Sequence, residues 1–299
     1  MQNQHINFKR KRELGEIITD TFKFLRENYK ATFRNLFNIA GIPFLIFVAA
    51  SAYNAHTSFG SGSAFDFSST FTAFNSAELI GSTLLVYLTA FIFLIALQAC
   101  IMSVIKSYIS NEGIIVDDEV KATVKERLGD IALAGIGKTI LLLIGLMLCV
   151  IPGIYISVPF FLIFPILFFE NKKANEVFSD CFYLVKDNWW ITFATIFILG
   201  LLWYLISLVF SIPAMIYMGV KMFTSIQEGS LSDPSSMFDL GTIILSVIAS
   251  AFQYITYIFM PIGAAFIYFN LNEQKNQTCL LYTSPSPRDR TRSRMPSSA

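Results

Sequence analysis

The sequence predicts an all-α polytopic membrane bundle of six transmembrane helices. Three observations predict it. The 299 residues are 54% hydrophobic with a mean hydropathy of +0.57. Only 14% are charged, against about 25% in a soluble domain. And apolar runs of span length alternate with short charged segments. This balance excludes a disordered chain, a nucleic-acid binder with a basic face and a small disulfide scaffold.

Residues 1–13 read as a flexible, basic N-terminus, and residues 14–277 as a single membrane domain. Leu14, Ile17, Ile18, Phe22, Leu25, Tyr29 and Phe33 then recur at three- and four-residue steps. With Glu16, Asp20, Lys23, Glu27 and Lys30 opposite, that spacing is an amphipathic helix lying in the membrane interface. The first span follows at about 36–53 and the second at about 79–105. The loop between them carries Phe59, Phe65, Phe67, Phe71 and Phe74 and no basic residue, so it either packs on the membrane surface or moves freely.

Val116, Val120, Val124, Leu128 and Ile131 form a second interfacial stripe leading into the third span, about 131–151. Pro152 and Gly153 alone separate it from the fourth, about 154–169, and Pro-Gly signals a tight hairpin turn. The fourth span is short, and Pro159 and Pro165 make it the best candidate for a broken helix. Val177, Phe178, Cys181, Leu184 and Val185 mark a third interfacial helix, and Trp189 and Trp190 a ring pair at headgroup level. The fifth span covers about 190–220, a polar loop 221–240, and the sixth span about 242–269.

Basic residues set the expected orientation. Seventeen fall before the first span, between the second and third, between the fourth and fifth, and after the sixth, whereas Lys221 stands alone on the other side. Both termini are therefore expected on the cytoplasmic side of the membrane. No signal peptide is expected, because the first apolar run starts late.

Gly15–Phe33 aligns without gaps on Asn175–Phe193, pairing Glu16, Asp20, Phe22, Asn28, Thr32 and Phe33 with Glu176, Asp180, Phe182, Asn188, Thr192 and Phe193. Glu119–Ile131 matches in pattern only. We read three units, each an interfacial helix followed by a two-span hairpin, repeated in parallel.

Residues 279–299, CLLYTSPSPRDRTRSRMPSSA, change composition abruptly. They resemble the in-frame translation of a transposon-based sequencing-library adapter and belong outside fold reasoning. The segment is expected to be unstructured, with the natural protein continuing from near Thr278 in another sequence. Without it the chain carries 18 basic and 20 acidic residues.

No catalytic, cofactor or metal constellation is visible. The two histidines, His5 and His56, stand far apart in sequence. Cys100 and Cys149 fall in spans, Cys181 in an interfacial helix and Cys279 in the tail, which reads as packing rather than chemistry. GIGKT, Gly135–Thr139, lacks the full spacing of a phosphate loop. No ionisable residue is expected at a span centre, with Lys138 snorkelling to an interface. The polar interior reduces to Asn38, Gln98 and Gln253, for which interhelical hydrogen bonds are a sufficient account.

IPGIYISVPFFLIFPILFFE followed after three residues by ANEVFSDCFYLVKDNWWITF resembles the membrane domain that accompanies some bacterial glycerophosphoryl diester phosphodiesterases. It is equally similar to stand-alone six-span bacterial proteins carrying the same domain, and KRELGEIITDTFKFLRENYKATFRNLF looks like the start of members from Bacteroidota. The motif positions are Pro152, Gly153, Tyr155, Glu170, Asn188, Trp189 and Trp190. The resemblance implies topology, not activity, because the phosphodiesterase chemistry belongs to a separate soluble barrel. Three readings follow. The first is a non-enzymatic scaffold or helper in envelope or lipid homeostasis, partnered by the bilayer. The second is a transporter or lipid-handling protein. The third is the membrane half of a phosphodiesterase.

Overall fold

A computed structural model describes residues 6–60, 77–227 and 239–276. Helices account for nearly all of them, and no strand occurs among the described residues. The helices are α1 (Leu14–Gly60), α2 (Ala77–Ser110), α3 (Asp117–Leu148), α4 (Val150–Phe160), α5 (Ile163–Phe169) and α6 (Ala174–Val185). A 3-10 turn (Lys186–Asn188) then leads into α7 (Trp189–Gln227), followed by α8 (Leu240–Thr256) and α9 (Phe259–Asn276). Six helical stretches are long and apolar enough to cross a membrane: Leu14–Thr57, Ala77–Ser110, Asp117–Leu148, Val150–Phe169, Ala174–Thr224 and Leu240–Lys275. The chain is a multi-pass α-helical membrane protein. The tail 279–299, most of the 54–78 loop and much of the 221–240 loop lie outside the described residues.

α1 and α2 pack antiparallel along their whole length. Phe24 meets Tyr108 edge-on with ring centroids 5.2 Å apart, Phe47 stacks near Phe93 at 6.3 Å, and Ser82 donates to Asn54 Oδ1 at 3.0 Å. α8 and α9 close the bundle, Tyr254 sitting 4.4 Å from Phe47. The core lies in the half nearer residue 14, here called the basic end. Leu97, Ile101 and Ile105 of α2, Ile166 and Phe168 of α5, and Ile262 and Phe266 of α9 are all fully buried there. Towards the opposite end Leu84, Tyr87, Leu88, Val209 and Ile216 are exposed, as lipid-facing side chains should be, since acyl chains solvate them as well as protein does.

The structure differs from the sequence expectations at four places. The first is the N-terminal segment, expected to be flexible. From Ile6 onward it is strapped across the basic end, with Phe8 only 2% exposed and stacked on Phe266 at 4.5 Å. The second is the buried face of α1, which is Ile17, Thr21, Phe24, Thr32, Asn35 and Leu36, while Phe22, Tyr29 and Phe33 point outward. The amphipathic segment runs on into the first span, as the sequence predicts, as one helix of 47 residues. The third is the hairpin turn, made by the extended residue Cys149 and not by Pro152-Gly153. Pro152 sits in the first turn of α4, where its missing N–H costs nothing. Gly153 faces Gly145, where a Cβ would stand 3.4 Å from the Gly153 Cα. The fourth is Lys138, which stays inside its span. The expected break in the fourth span is present: Phe161 and Leu162 interrupt the helix between Pro159 and Pro165.

The two aligned segments share a burial pattern. Ile17, Thr21, Phe24, Thr32 and Asn35 are buried, and so are Val177, Cys181, Leu184, Thr192 and Thr195, each 160 positions later. The ion pairs correspond too. Arg12 Nε meets Asp20 Oδ2 at 2.8 Å, and Lys172 Nζ meets Asp180 Oδ2 at 2.7 Å. Local geometry diverges at one point, where the 3-10 turn Lys186–Asn188 interrupts what α1 continues as α-helix.

Candidate functional site: an aromatic groove and a polar cavity

Four of the seven motif positions come together where α4 meets the start of α7. α6 buries Val177, Cys181, Leu184 and Val185 and ends at the 3-10 turn, which redirects the chain into α7. Trp189 Nε1 donates to the Tyr155 carbonyl at 3.2 Å, and the two rings stack with centroids 5.3 Å apart. Trp189 also stacks on Phe193 at 5.4 Å, and Trp190 stands edge-on to Trp189 at 4.8 Å. Trp190 is 76% exposed. These rings, with Asn188, Lys186 and Ile151, line a groove of about 630 Å³. Its chemistry is amphipathic: flat apolar faces beside the Lys186 ammonium, the Asn188 amide and the Asp187 carboxylate, which pairs with Lys275 at 3.5 Å.

The other motif positions serve packing and charge. Glu170 accepts from the Tyr268 hydroxyl at 3.2 Å and pairs with Lys172 at 2.6 Å. The carboxylates of Asp180 and Glu170 hold the Lys172 ammonium well above the usual lysine range. This node ties the end of α5 to α6 and α9. Pro152 and Gly153 shape the close approach of α3 to α4.

The expected polar interior does not converge. Asn38 is exposed on α1, and the buried amide of that helix is Asn35, which donates to Asp117 Oδ1 at 2.7 Å. Gln253 is exposed and borders a recess of about 420 Å³ with Ser246, Ser250 and Asn54. Gln98 is 9% exposed and borders a separate cavity of about 160 Å³.

That second cavity holds the residue that sequence reasoning misplaces. Lys138 lies in the interior of α3, and its ammonium rests 5.3 Å from the centroid of the Phe164 ring instead of reaching a helix end. GIGKT is part of the same unbroken helix, and its glycines permit close crossings. A Cβ on Gly135 would come within 2.4 Å of Ile95 Cδ1, and one on Gly137 within 2.8 Å of Phe178 Cζ. The signal for Lys138 is present in the sequence, as a lysine well inside the apolar run that begins at Ile131, but snorkelling explains it too readily.

No protein-family model, curated protein or solved structure matches this chain. Among the described residues no three His, Cys, Asp or Glu side chains stand close enough to share a metal ion.

Proposed function

We propose that this protein acts on the bilayer without catalysing a reaction, as a scaffold or helper in envelope or lipid homeostasis that retains a phospholipid at headgroup level. The observation that carries the reading is the groove of Tyr155, Asn188, Trp189 and Trp190. Indole and phenol rings settle where an apolar body meets a polar rim. Lys186 on the same wall supplies a charge for a phosphate. Purified in mild detergent, the protein should carry phospholipid through size exclusion. Trp189→Ala with Trp190→Ala should reduce that lipid severalfold with the bundle still folded, and unchanged lipid content would refute the reading.

The reading includes an orientation, with both termini cytoplasmic and the chain in the inner membrane. It is supported by the seventeen basic residues against Lys221. In a cysteine-free background, Ser61→Cys should react with an impermeant maleimide in intact spheroplasts, and Glu112→Cys only after permeabilisation. The reverse pattern would invert the topology.

The resemblance of residues 151–193 to the glycerophosphodiester phosphodiesterase membrane domain supports the same assignment. A continuous genomic read past residue 278 is its test, since a downstream barrel there would make this chain the membrane half of an enzyme. The lipid-handling reading draws its support from the Lys138 cavity.

A further inference from the structure

The cavity around Lys138 has features that packing alone does not explain. It is a half-open recess lined by α2 (Phe91, Leu94, Ile95, Gln98), α3 (Gly135, Lys138, Thr139), α5 (Phe164) and the Tyr257 turn before α9. Its three strongest hydrogen-bond donors are the Lys138 ammonium, the Gln98 amide and the Tyr257 hydroxyl. None of the three makes a hydrogen bond or ion pair with another described residue; Lys138 rests over the Phe164 ring with the Cys181 thiol as an electrostatic neighbour, and Tyr257 meets the Trp203 ring edge-on. The Thr139 hydroxyl is already engaged, donating to the Gly135 carbonyl.

Lys138 is seven residues past Ile131, where the apolar run of α3 begins, and ten before its end at Leu148, so it sits about 10 Å along the helix from the nearer of the two at 1.5 Å per residue. An ammonium at such depth is expensive unless it is paired, hydrated or able to reach an interface. A ring face offsets part of that cost and leaves the donors unused. The buried cation elsewhere among the described residues, Arg12, is paired with Asp20. At Lys138 the partner is missing from the described residues and there is space beside it for one.

Size and position narrow the occupant. The cavity, about 160 Å³, is roughly five times the ~30 Å³ share of one water molecule in the liquid. That is room for a carboxylate or a phosphate with a few adjoining atoms, the rest of a larger molecule lying outside the open mouth. Thr139 is exposed at the rim, and the surface around it is apolar and exposed: Ile92, Ile136 and Ile140. An occupant therefore enters from acyl chains rather than from water.

We propose that the Lys138 cavity seats the compact oxyanion of a membrane amphiphile, whose hydrocarbon stays in the bilayer. Lys138 pairs with the charge, and the Gln98 amide and Tyr257 hydroxyl donate to the remaining oxygens. The proposal does not depend on the aromatic groove, which lies at the far end of α4 and uses none of these residues.

The test is binding of oleate and of phosphatidic acid to the full chain in nanodiscs of phosphatidylcholine, by native mass spectrometry and by thermal shift, with inorganic phosphate as the soluble control. At least one of the two amphiphiles should bind and raise the melting temperature. Lys138→Met should weaken that binding at least tenfold, and Gln98→Leu and Tyr257→Phe several-fold each. Trp189→Ala with Trp190→Ala should leave the Lys138-dependent part of that binding unchanged, whatever lipid it removes from the groove, so that failure of the groove and failure of this cavity read separately. If Lys138→Met does not yield a folded protein, Gln98→Leu and Tyr257→Phe carry the test. The proposal is overturned if neither amphiphile binds, if inorganic phosphate alone binds, or if the folded cavity variants bind as the wild type does. Which amphiphile binds identifies the source, carboxylate or phosphate.

Discussion

Arg12→Ala should destabilise the protein by roughly 3–5 kcal/mol, the range for removing one member of a buried ion pair. The Arg12 side chain is wholly buried, pairs with Asp20 at 2.8 Å, and lies over the Phe266 ring at 4.8 Å. Its guanidinium donates to the carbonyls of Phe8, at 2.7 Å, and Asn7. Removing it leaves Asp20 with only the half-exposed Arg10 at 3.0 Å and strips the strap 6–13 of its anchor. Arg12→Lys should recover little, because a single ammonium cannot serve the carboxylate and both carbonyls together. Thermal unfolding in detergent, followed by size exclusion, reads the loss. A pH dependence accompanies it. Burial pushes the Asp20 carboxyl up, but hydrogen bonds from Arg12 and Arg10 outweigh it and hold the group below the usual range. Its contribution is complete above the unfolded value of about 3.9 and is lost as pH falls through the lower folded one. Wild type should therefore lose melting temperature below about pH 4, and Asp20→Asn should lose less over the same interval.

Gly153→Val should cost at least the ~1–3 kcal/mol of an overpacked site. A Cβ at Gly153 would stand 2.6 Å from Leu146 Cδ2, 2.9 Å from Leu146 Cγ and 3.2 Å from Leu146 Cα. The side-chain carbons could turn away, but the backbone atom could not, so α3 and α4 would have to separate. Close approach through small residues is what holds helices together in lipid. Gly15→Ala is the control, since nothing lies within 4 Å of a Cβ there. Equal melting temperatures for Gly153→Val and wild type would mean that α3 and α4 do not meet at this distance.

Hydropathy makes the spans legible because it reports compatibility with lipid, and lipid compatibility is what a span requires. It misjudges which face packs for the same reason. Periodicity puts Phe22, Tyr29 and Phe33 on the apolar stripe of α1 and does not say whether protein or lipid covers it. In a bilayer those rings can face acyl chains, and Thr21, Thr32 and Asn35 turn inward instead. The same ambiguity favours Asn38 over Asn35. Lys138 escapes because position within a span does not say where a four-carbon side chain ends. The strap 6–13 reads as flexible because its basic composition suggests solvent, whereas Phe8 and Arg12 pair with α9 residues more than 250 positions away. The aromatic groove is half visible: Trp189 and Trp190 announce themselves, and Tyr155 across from them requires the fold.

The strap also dictates an order of assembly. The Arg12 backbone N–H donates to Asn270 Oδ1 at 2.8 Å, across a separation of 258 positions. A ribosome adding about 5–20 residues per second takes on the order of 10–50 s to travel from one to the other. Throughout that interval the strap lacks its α9 partners, although Asp20, Phe24 and Tyr108 of α1 and α2 are already made. The strap is thus the bolt shot after the door has closed, and a bulky domain fused immediately ahead of Ile6 would jam it without touching any membrane-embedded segment.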